Sequence, residues 1–118
     1  MKLDRLTAEV YARCFGSLSD PNRVLILNLL ARVKRPLSVG EIVAEFDLGQ
    51  STVSHHLKTL ATVGFVIAER RGTSTYYRVN ERCFECFPSA AELVMGDVPR
   101  PRRRRRSMTV LPWLEEVA

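Results

Sequence analysis

The sequence predicts a mainly α (α+β) fold, in which several short helices are followed by a two-stranded β-hairpin. In three segments, apolar side chains recur at the three- and four-residue spacing of a helix with one buried face, and a fourth helical segment is apolar nearly all round. After Gly64 the spacing becomes that of strands, with a turn around Gly72 between two strand-like runs. The 118 residues suit one domain and a tail, which we expect to be residues 1–96 and 97–118.

The first two helical segments cover residues 5–17 and about 21–33. Asp20 can cap the second helix, and Pro21 suits its first position because no hydrogen bond is lost there. The second helix is apolar nearly all round, so we expect it to lie buried at the centre of the domain. Its apolar residues are Val24, Leu25, Ile26, Leu27, Leu29 and Leu30.

Two further helices are joined by a short turn. Ser38 and Glu41 match a capping box, which predicts a third helix from Ser38 to Phe46. Residues 47–49 then form a tight turn into a fourth helix over residues 50–60. This arrangement is typical of a helix-turn-helix unit, whose second helix lies in the major groove of DNA.

The fourth helix has one apolar edge and one polar edge. Val53, Leu57 and Leu60 fall within roughly 60° of each other around the helix axis and form the inner edge. Hydroxyl, imidazole and ammonium groups on the other edge are suited to base edges and phosphates, so we predict that it binds DNA. The alternative is a polar surface helix with no partner. The candidate DNA-binding residues are Ser51, Ser54, His55 and Lys58, with Gln50 and Thr52 at the helix start.

The hairpin carries a basic tip. A hairpin directly after a recognition helix is the wing of a winged helix-turn-helix fold. Arg70, Arg71 and Arg78 can then reach flanking phosphates or the minor groove. A plain solvated turn is the alternative interpretation.

The net charge of +5 and the pI near 9.6 favour an anionic partner. Nucleic acid and a membrane surface both satisfy this preference, so the charge alone does not choose between them. Asp4 and Glu9 lie among the first residues without an apolar signal core. No apolar run approaches the roughly 20 residues of a membrane span. We therefore expect a cytoplasmic protein without a membrane partner.

The end of the chain divides into an apolar part and a basic part. Between Asn80 and Met95 more apolar side chains occur than a short terminal helix can bury in one domain, which indicates a partner. Beyond Gly96, prolines and a run of arginines at 102–106 resist folding and predict a basic, flexible tail.

Three stretches of the sequence belong together, namely FGSLSDPNR (15–23), QSTVSHHLK (50–58) and YYRV (76–79). In this order they closely resemble the ArsR/SmtB family of metal-sensing repressors, and the resemblance covers about residues 8–95. The resemblance implies a homodimeric winged-helix repressor of transcription that binds double-stranded operator DNA. It also implies that the first and last helices form the dimer interface, and that an inducer, often a metal or metalloid, lowers DNA affinity.

The sequence departs from two sensing sites of that family. The third helix has no cysteine, and no histidine follows His56, so the soft ligands available are Cys14, Cys83 and Cys86. Cys83 and Cys86 are one helical turn apart and can chelate one soft ion. In the fold that this resemblance implies, the first helix packs beside the last, so that Cys14 comes close to Cys83 and Cys86. Three thiolates suit trivalent arsenic or antimony, whereas structural zinc takes a fourth ligand. Arsenite or antimonite is therefore the predicted inducer.

Other interpretations of the cysteines remain open. Cys83 and Cys86 can form a redox or sulfur-species switch, because a Cys-x-x-Cys pair with a lowered thiol pKa readily forms a disulfide. A site for another soft metal, or Cys14 as a small core residue, also fits. An enzyme is not expected, since the two histidines sit together on the fourth helix and no phosphate loop or acid pair is present. His56 is expected to be a packed, hydrogen-bonded side chain.

Overall fold

A computed structural model of the chain describes residues 2–83 and 94–96. Within these residues there are four helices and a small three-stranded antiparallel sheet, which confirms the predicted winged helix-turn-helix class. Most of the helix predicted after Asn80, and the tail at 97–118, lie outside the described residues. The elements are α1 (Arg5–Ser17), α2 (Pro21–Val33), β1 (Leu37–Ser38), α3 (Val39–Val43), α4 (Gln50–Thr62), β2 (Val66–Arg71) and β3 (Ser74–Val79).

The helix starts follow from side-chain caps. Asp4 and Asp20 each accept a hydrogen bond from a first-turn backbone N–H, at 2.7 and 2.8 Å. The predicted capping box is confirmed, because Ser38 Oγ accepts from the N–H of Glu41 at 3.2 Å while Glu41 Oε1 accepts from the N–H of Ser38 at 3.1 Å. Each cap satisfies backbone donors that have no partner inside the helix.

The third helix is shorter than predicted, ending at Val43 instead of Phe46. The N–H of Glu45 donates to Ile42 O at 3.0 Å, and the N–H of Phe46 donates to Val43 O at 3.2 Å. These three-residue hydrogen bonds tighten the chain into turns that lead towards α4.

The core lies between α2, α3, α4 and the inner face of the sheet. Val53, Leu57 and Leu60 are fully buried, so the predicted inner edge of α4 is confirmed. Burial of one such side chain contributes about 2 kcal/mol, and this edge therefore holds α4 firmly on the domain. The remaining buried apolar residues are Ile26, Leu29, Leu30, Leu37, Ile42, Phe65, Val66 and Tyr77.

The prediction that α2 is buried all round is wrong for the single chain. Its buried residues are Ile26, Leu29 and Leu30, whereas Val24 and Leu25 are 46% and 51% exposed. A helix packed on one side of a small domain covers one face, and its second apolar face remains in solvent.

The sheet has the order β1-β3-β2. The predicted hairpin is confirmed, with Arg71 paired to Ser74 beside a turn in which Gly72 has a φ of 62°. The sequence did not predict β1, whose Leu37 pairs with Tyr77 of β3. None of the helices described is long and apolar enough to cross a membrane.

Candidate nucleic-acid interface

The outer face of α4 forms a shallow depression lined only by polar side chains. All five lining residues were predicted as DNA contacts from the helical spacing. The depression arises because the apolar edge of α4 is buried, which turns the polar edge to solvent. Thr52 is exposed but does not line the depression. The lining residues are Gln50, Ser51, Ser54, His55 and Lys58.

This face has donors, acceptors and one cation, with no acidic side chain among its lining residues. Two other hydroxyls of α4 form hydrogen bonds within the helix itself. Thr59 Oγ1 donates to His55 O at 3.2 Å, and Thr62 Oγ1 donates to Lys58 O at 2.8 Å. The hydroxyls that this helix presents to a partner are therefore those of Ser51, Thr52 and Ser54, of which Ser51 and Ser54 line the depression.

The N-terminus of α4 differs from those of the other three helices. Its N-cap is Gly49, and no side chain accepts a hydrogen bond from its first turn. The N-termini of α1, α2 and α3 are all capped by Asp or Ser side chains. Free N–H groups and the positive end of the helix dipole suit an anion such as a DNA phosphate. The polar depression and this N-terminus are adjacent because both include Gln50 and Ser51.

The structure separates the three wing arginines. Cross-strand partners share a face of a hairpin, and successive residues alternate between faces. Arg70 pairs with Thr75, on the face that also contains the buried Tyr77, while Arg71 and Arg78 lie on the other face. Arg78 pairs with Ile67, four residues along β3 from Ser74 at the turn. Arg70 and Arg71 are at the tip and Arg78 is not.

Glu69 is a residue of this region that the sequence interpretation missed. Its carboxylate accepts hydrogen bonds from Arg78 Nε and from Arg71 Nη2, the latter at 3.3 Å. The bond from Arg78, and then that from Arg71, lowers the pKa of Glu69 below its usual value. The Arg71 guanidinium also lies over the ring of Tyr76, 5.1 Å from its centroid. The spacing of Glu69 and Arg71, two residues apart on one strand, places both side chains on the same face and could have indicated this contact from the sequence.

The described residues include two of the three predicted thiol ligands. Cys14 and Cys83 are each partly buried against the core, and Cys86 lies outside the described residues. Within residues 2–83 and 94–96 no three metal-ligating side chains lie close enough to hold an ion. The three-thiolate site therefore remains a prediction.

His56 is packed and hydrogen-bonded, as predicted. Its side chain is 6% exposed on the inner side of α4, and its Nδ1 lies 3.4 Å from Nη1 of Arg23. The neighbouring His55 is exposed in the polar depression, so two adjacent histidines have different environments.

Residues 20–68 match a family described as "Bacterial regulatory protein, arsR family". An uncharacterized HTH-type transcriptional regulator from Methanocaldococcus jannaschii is 38% identical over 86 residues, which cover 72% of this chain and 96% of that protein. The arsenical resistance operon repressor of Staphylococcus xylosus is 35% identical over 77 residues, covering 65% of this chain and 72% of the repressor.

A solved structure from Mycobacterium bovis has the same architecture. It is a homodimeric winged helix-turn-helix DNA-binding domain, described as a possible ArsR-family transcriptional regulator. It matches with a TM-score of 0.63 and 27% identity, over 89% of this chain and 98% of that chain. The polar outer face of α4 thus lies on a fold that DNA-binding regulators share, and this chain belongs to the ArsR family of DNA-binding transcriptional regulators.

Proposed function

We propose that this regulator represses transcription by binding an inverted-repeat operator as a homodimer. The observation that supports this most directly is the acid-free polar depression on α4 beside an uncapped helix N-terminus. Inserted into the major groove, such a face meets base edges with its side chains and a phosphate with its N-terminus.

The lining residues have different roles in this proposal. Ser51, Ser54 and His55 read base edges, because hydroxyl and imidazole groups both donate and accept hydrogen bonds. Lys58 binds a phosphate on the flank, and Gln50 and Thr52 contribute at the start of the helix. Arg70 and Arg71 at the wing tip add phosphate or minor-groove contacts. Arg78 is a weaker candidate because it lies away from the tip.

The dimer in this proposal is formed by α1 together with the last helix. On α1, Leu6 and Val10 are one turn apart and 69% and 43% exposed. Val24 and Leu25 of α2 are also exposed, and the burial of this apolar surface in a dimer interface is energetically favourable. The related domain from Mycobacterium bovis is homodimeric. A two-fold dimer doubles the bases that one short helix can read.

The inducer in this proposal is trivalent arsenic or antimony, bound by Cys14, Cys83 and Cys86. The resemblance to an arsenical resistance repressor supports this chemistry, as does the partial burial of Cys14 and Cys83. Soft thiolates bind soft ions, and three of them suit a pyramidal ion with a lone pair. Ligation moves α1 against the last helix, changes the spacing of the two α4 helices and releases DNA.

A thiol switch is the second candidate function. Cys83 and Cys86 form a Cys-x-x-Cys pair, and oxidation to a disulfide would need no contribution from Cys14. This candidate keeps the same DNA interface and differs from the first in the chemical stimulus.

The DNA-binding proposal is tested by replacing Ser51, Ser54 and His55 together with alanine. An operator is first selected from random DNA, and its affinity is compared with that of unrelated DNA. The preference should fall at least 100-fold, since each lost base contact costs about 1 kcal/mol or more. Thr59→Ala with Thr62→Ala is the matched control, because those hydroxyls bond within α4. An unchanged preference in the triple variant overturns the assignment.

A further inference from the structure

The first helix is attached to the domain mainly at its C-terminal end. Of the 13 residues of α1 only Ser17 is buried. The carbonyl oxygen of Ser17 accepts a hydrogen bond from Arg23 Nε at 2.6 Å, and that of Gly16 accepts one from Arg23 Nη2 at 3.5 Å. Arg23 of α2 therefore caps the end of α1 with its guanidinium.

The same guanidinium also contacts the recognition helix. Its Nη1 lies 3.4 Å from Nδ1 of His56, on the inner side of α4. The side chain of Arg23 is only 15% exposed, and the carboxylate of Asp20 at 3.8 Å balances its charge. One nearly buried cation thus joins α1, α2 and α4 in a region with little solvent screening.

The contact involves one donor and one possible acceptor. A guanidinium is a donor only, so a hydrogen bond between Arg23 and His56 requires Nδ1 of His56 to accept. The planar fork of arginine donates in several directions at once, which a lysine ammonium on a flexible stem does not reproduce. The adjacent His55, with its ring centroid 6.2 Å from that of His56, belongs to the outer face.

We propose that Arg23 is a positioning residue for DNA recognition, which fixes the orientation of α4 against the end of α1 through His56. Arg23 does not line the polar depression, so its effect on DNA binding is exerted through α4 itself. The motif at residues 15–23 supplies the two carbonyls that close α1 and the arginine that binds them, and the motif at residues 50–58 supplies His56.

The connection also extends towards Cys14. The hydroxyl of Ser17 donates to the carbonyl oxygen of Cys14 at 2.7 Å. Displacement of Cys14 is therefore transmitted through Ser17 and Arg23 to His56. This extension rests on the proposed inducer site, whereas the positioning role of Arg23 does not depend on it.

The test uses the full chain carrying Arg23→Lys, with heteronuclear NMR of the imidazole nitrogens and operator affinity as the two measurements. The two histidines are the only ones in the sequence, so His55 is an internal reference. The ring nitrogen signals of His56 should shift while those of His55 stay, and operator affinity should fall about tenfold. Arg32→Lys is the matched control, since Arg32 is exposed on α2 and its Nε bonds to Asn28 at 3.0 Å.

The proposal is overturned if the His56 signals stay unchanged, if they shift without loss of affinity, or if Arg32→Lys loses affinity equally. Should Arg23→Lys fail to fold, His56→Phe removes the acceptor instead, and the same tenfold loss is expected; retained affinity overturns the proposal. Arsenite is then added as the probe. If arsenite does not release the wild-type protein from its operator, the proposed inducer site is wrong. The positioning role of Arg23 is unaffected by that result, because its measurements are made without arsenite.

Discussion

The thiol of Cys83 donates a hydrogen bond to the carbonyl oxygen of Gly64, with 3.2 Å between Sγ and O. Gly64 has a φ of 87° and lies in the turn between α4 and β2, and Nδ2 of Asn80 donates to the same oxygen at 2.8 Å. A soft ion binds the thiolate and not the thiol, so ligation of Cys83 must break this bond. The junction between α4 and the wing is therefore bonded directly to a proposed inducer ligand.

Serine replacement of each cysteine tests the three-thiolate site. Cys14→Ser, Cys83→Ser and Cys86→Ser should each leave the protein on its operator in arsenite, because a metalloid held by two thiolates is bound more weakly than one held by three. Fluorescence anisotropy of labelled operator measures the release, and elemental analysis measures bound arsenic per protomer.

Operator binding without arsenite is the control, and it should change little in all three variants. A normal arsenite response in Cys14→Ser contradicts the three-thiolate site. That result would favour a two-thiol site for methylated arsenic. Release by an oxidant, with a disulfide between Cys83 and Cys86, would favour the redox switch.

The second prediction concerns the wing. Glu69→Gln should raise affinity for operator and unrelated DNA alike, because the carboxylate no longer competes with phosphates for Arg71 and Arg78. Each additional phosphate contact makes the slope of log affinity against log salt more negative by about 0.9. Affinity measured over a series of salt concentrations gives this slope.

The control for the wing is Glu9→Gln on α1. Glu9 accepts a hydrogen bond from Arg5 Nε at 3.0 Å, so the substitution removes the same charge from an exposed ion pair outside the wing. DNA affinity and the slope of log affinity against log salt should change less in Glu9→Gln than in Glu69→Gln. Weaker binding by Glu69→Gln would show instead that the carboxylate holds the two arginines in the orientation that DNA requires.

The third prediction concerns how acidic pH affects the stability that the capping box of Ser38 and Glu41 contributes. The backbone N–H of Ser38, and then the guanidinium of Arg35, lowers the pKa of Glu41. Because its pKa is lower in the folded state, Glu41 stabilises the fold above its unfolded pKa, and this contribution is lost as pH falls through the folded pKa. The free energy of unfolding, measured with urea across acidic pH, should therefore depend less on pH in Glu41→Gln.

Ser38→Ala should lower stability by about 1 kcal/mol, because it removes the acceptor for the N–H of Glu41. Glu45→Gln is the control for charge, since Glu45 is exposed and lies beyond the end of α3. Equal pH dependence in the wild type and in Glu41→Gln would refute the role of the Glu41 carboxylate.

Features that depend on neighbouring residues could be predicted from the sequence. Asp20, Pro21 and the pair Ser38 and Glu41 predicted helix starts correctly, because a cap involves residues two or three apart. The two edges of α4 followed from its helical period, since the buried edge must be apolar and the opposite edge is then exposed. The polar depression was therefore predictable residue by residue.

Features that join distant segments could be seen only in the folded chain. The two residues of β1 pair with β3, and Arg23 contacts His56 across 33 positions of the chain. Both contacts depend on how the elements pack in three dimensions, and no local period encodes them. The exposure of Val24 and Leu25 was decided in the same way, because a helix that is apolar on both sides can cover only one of them within a small domain.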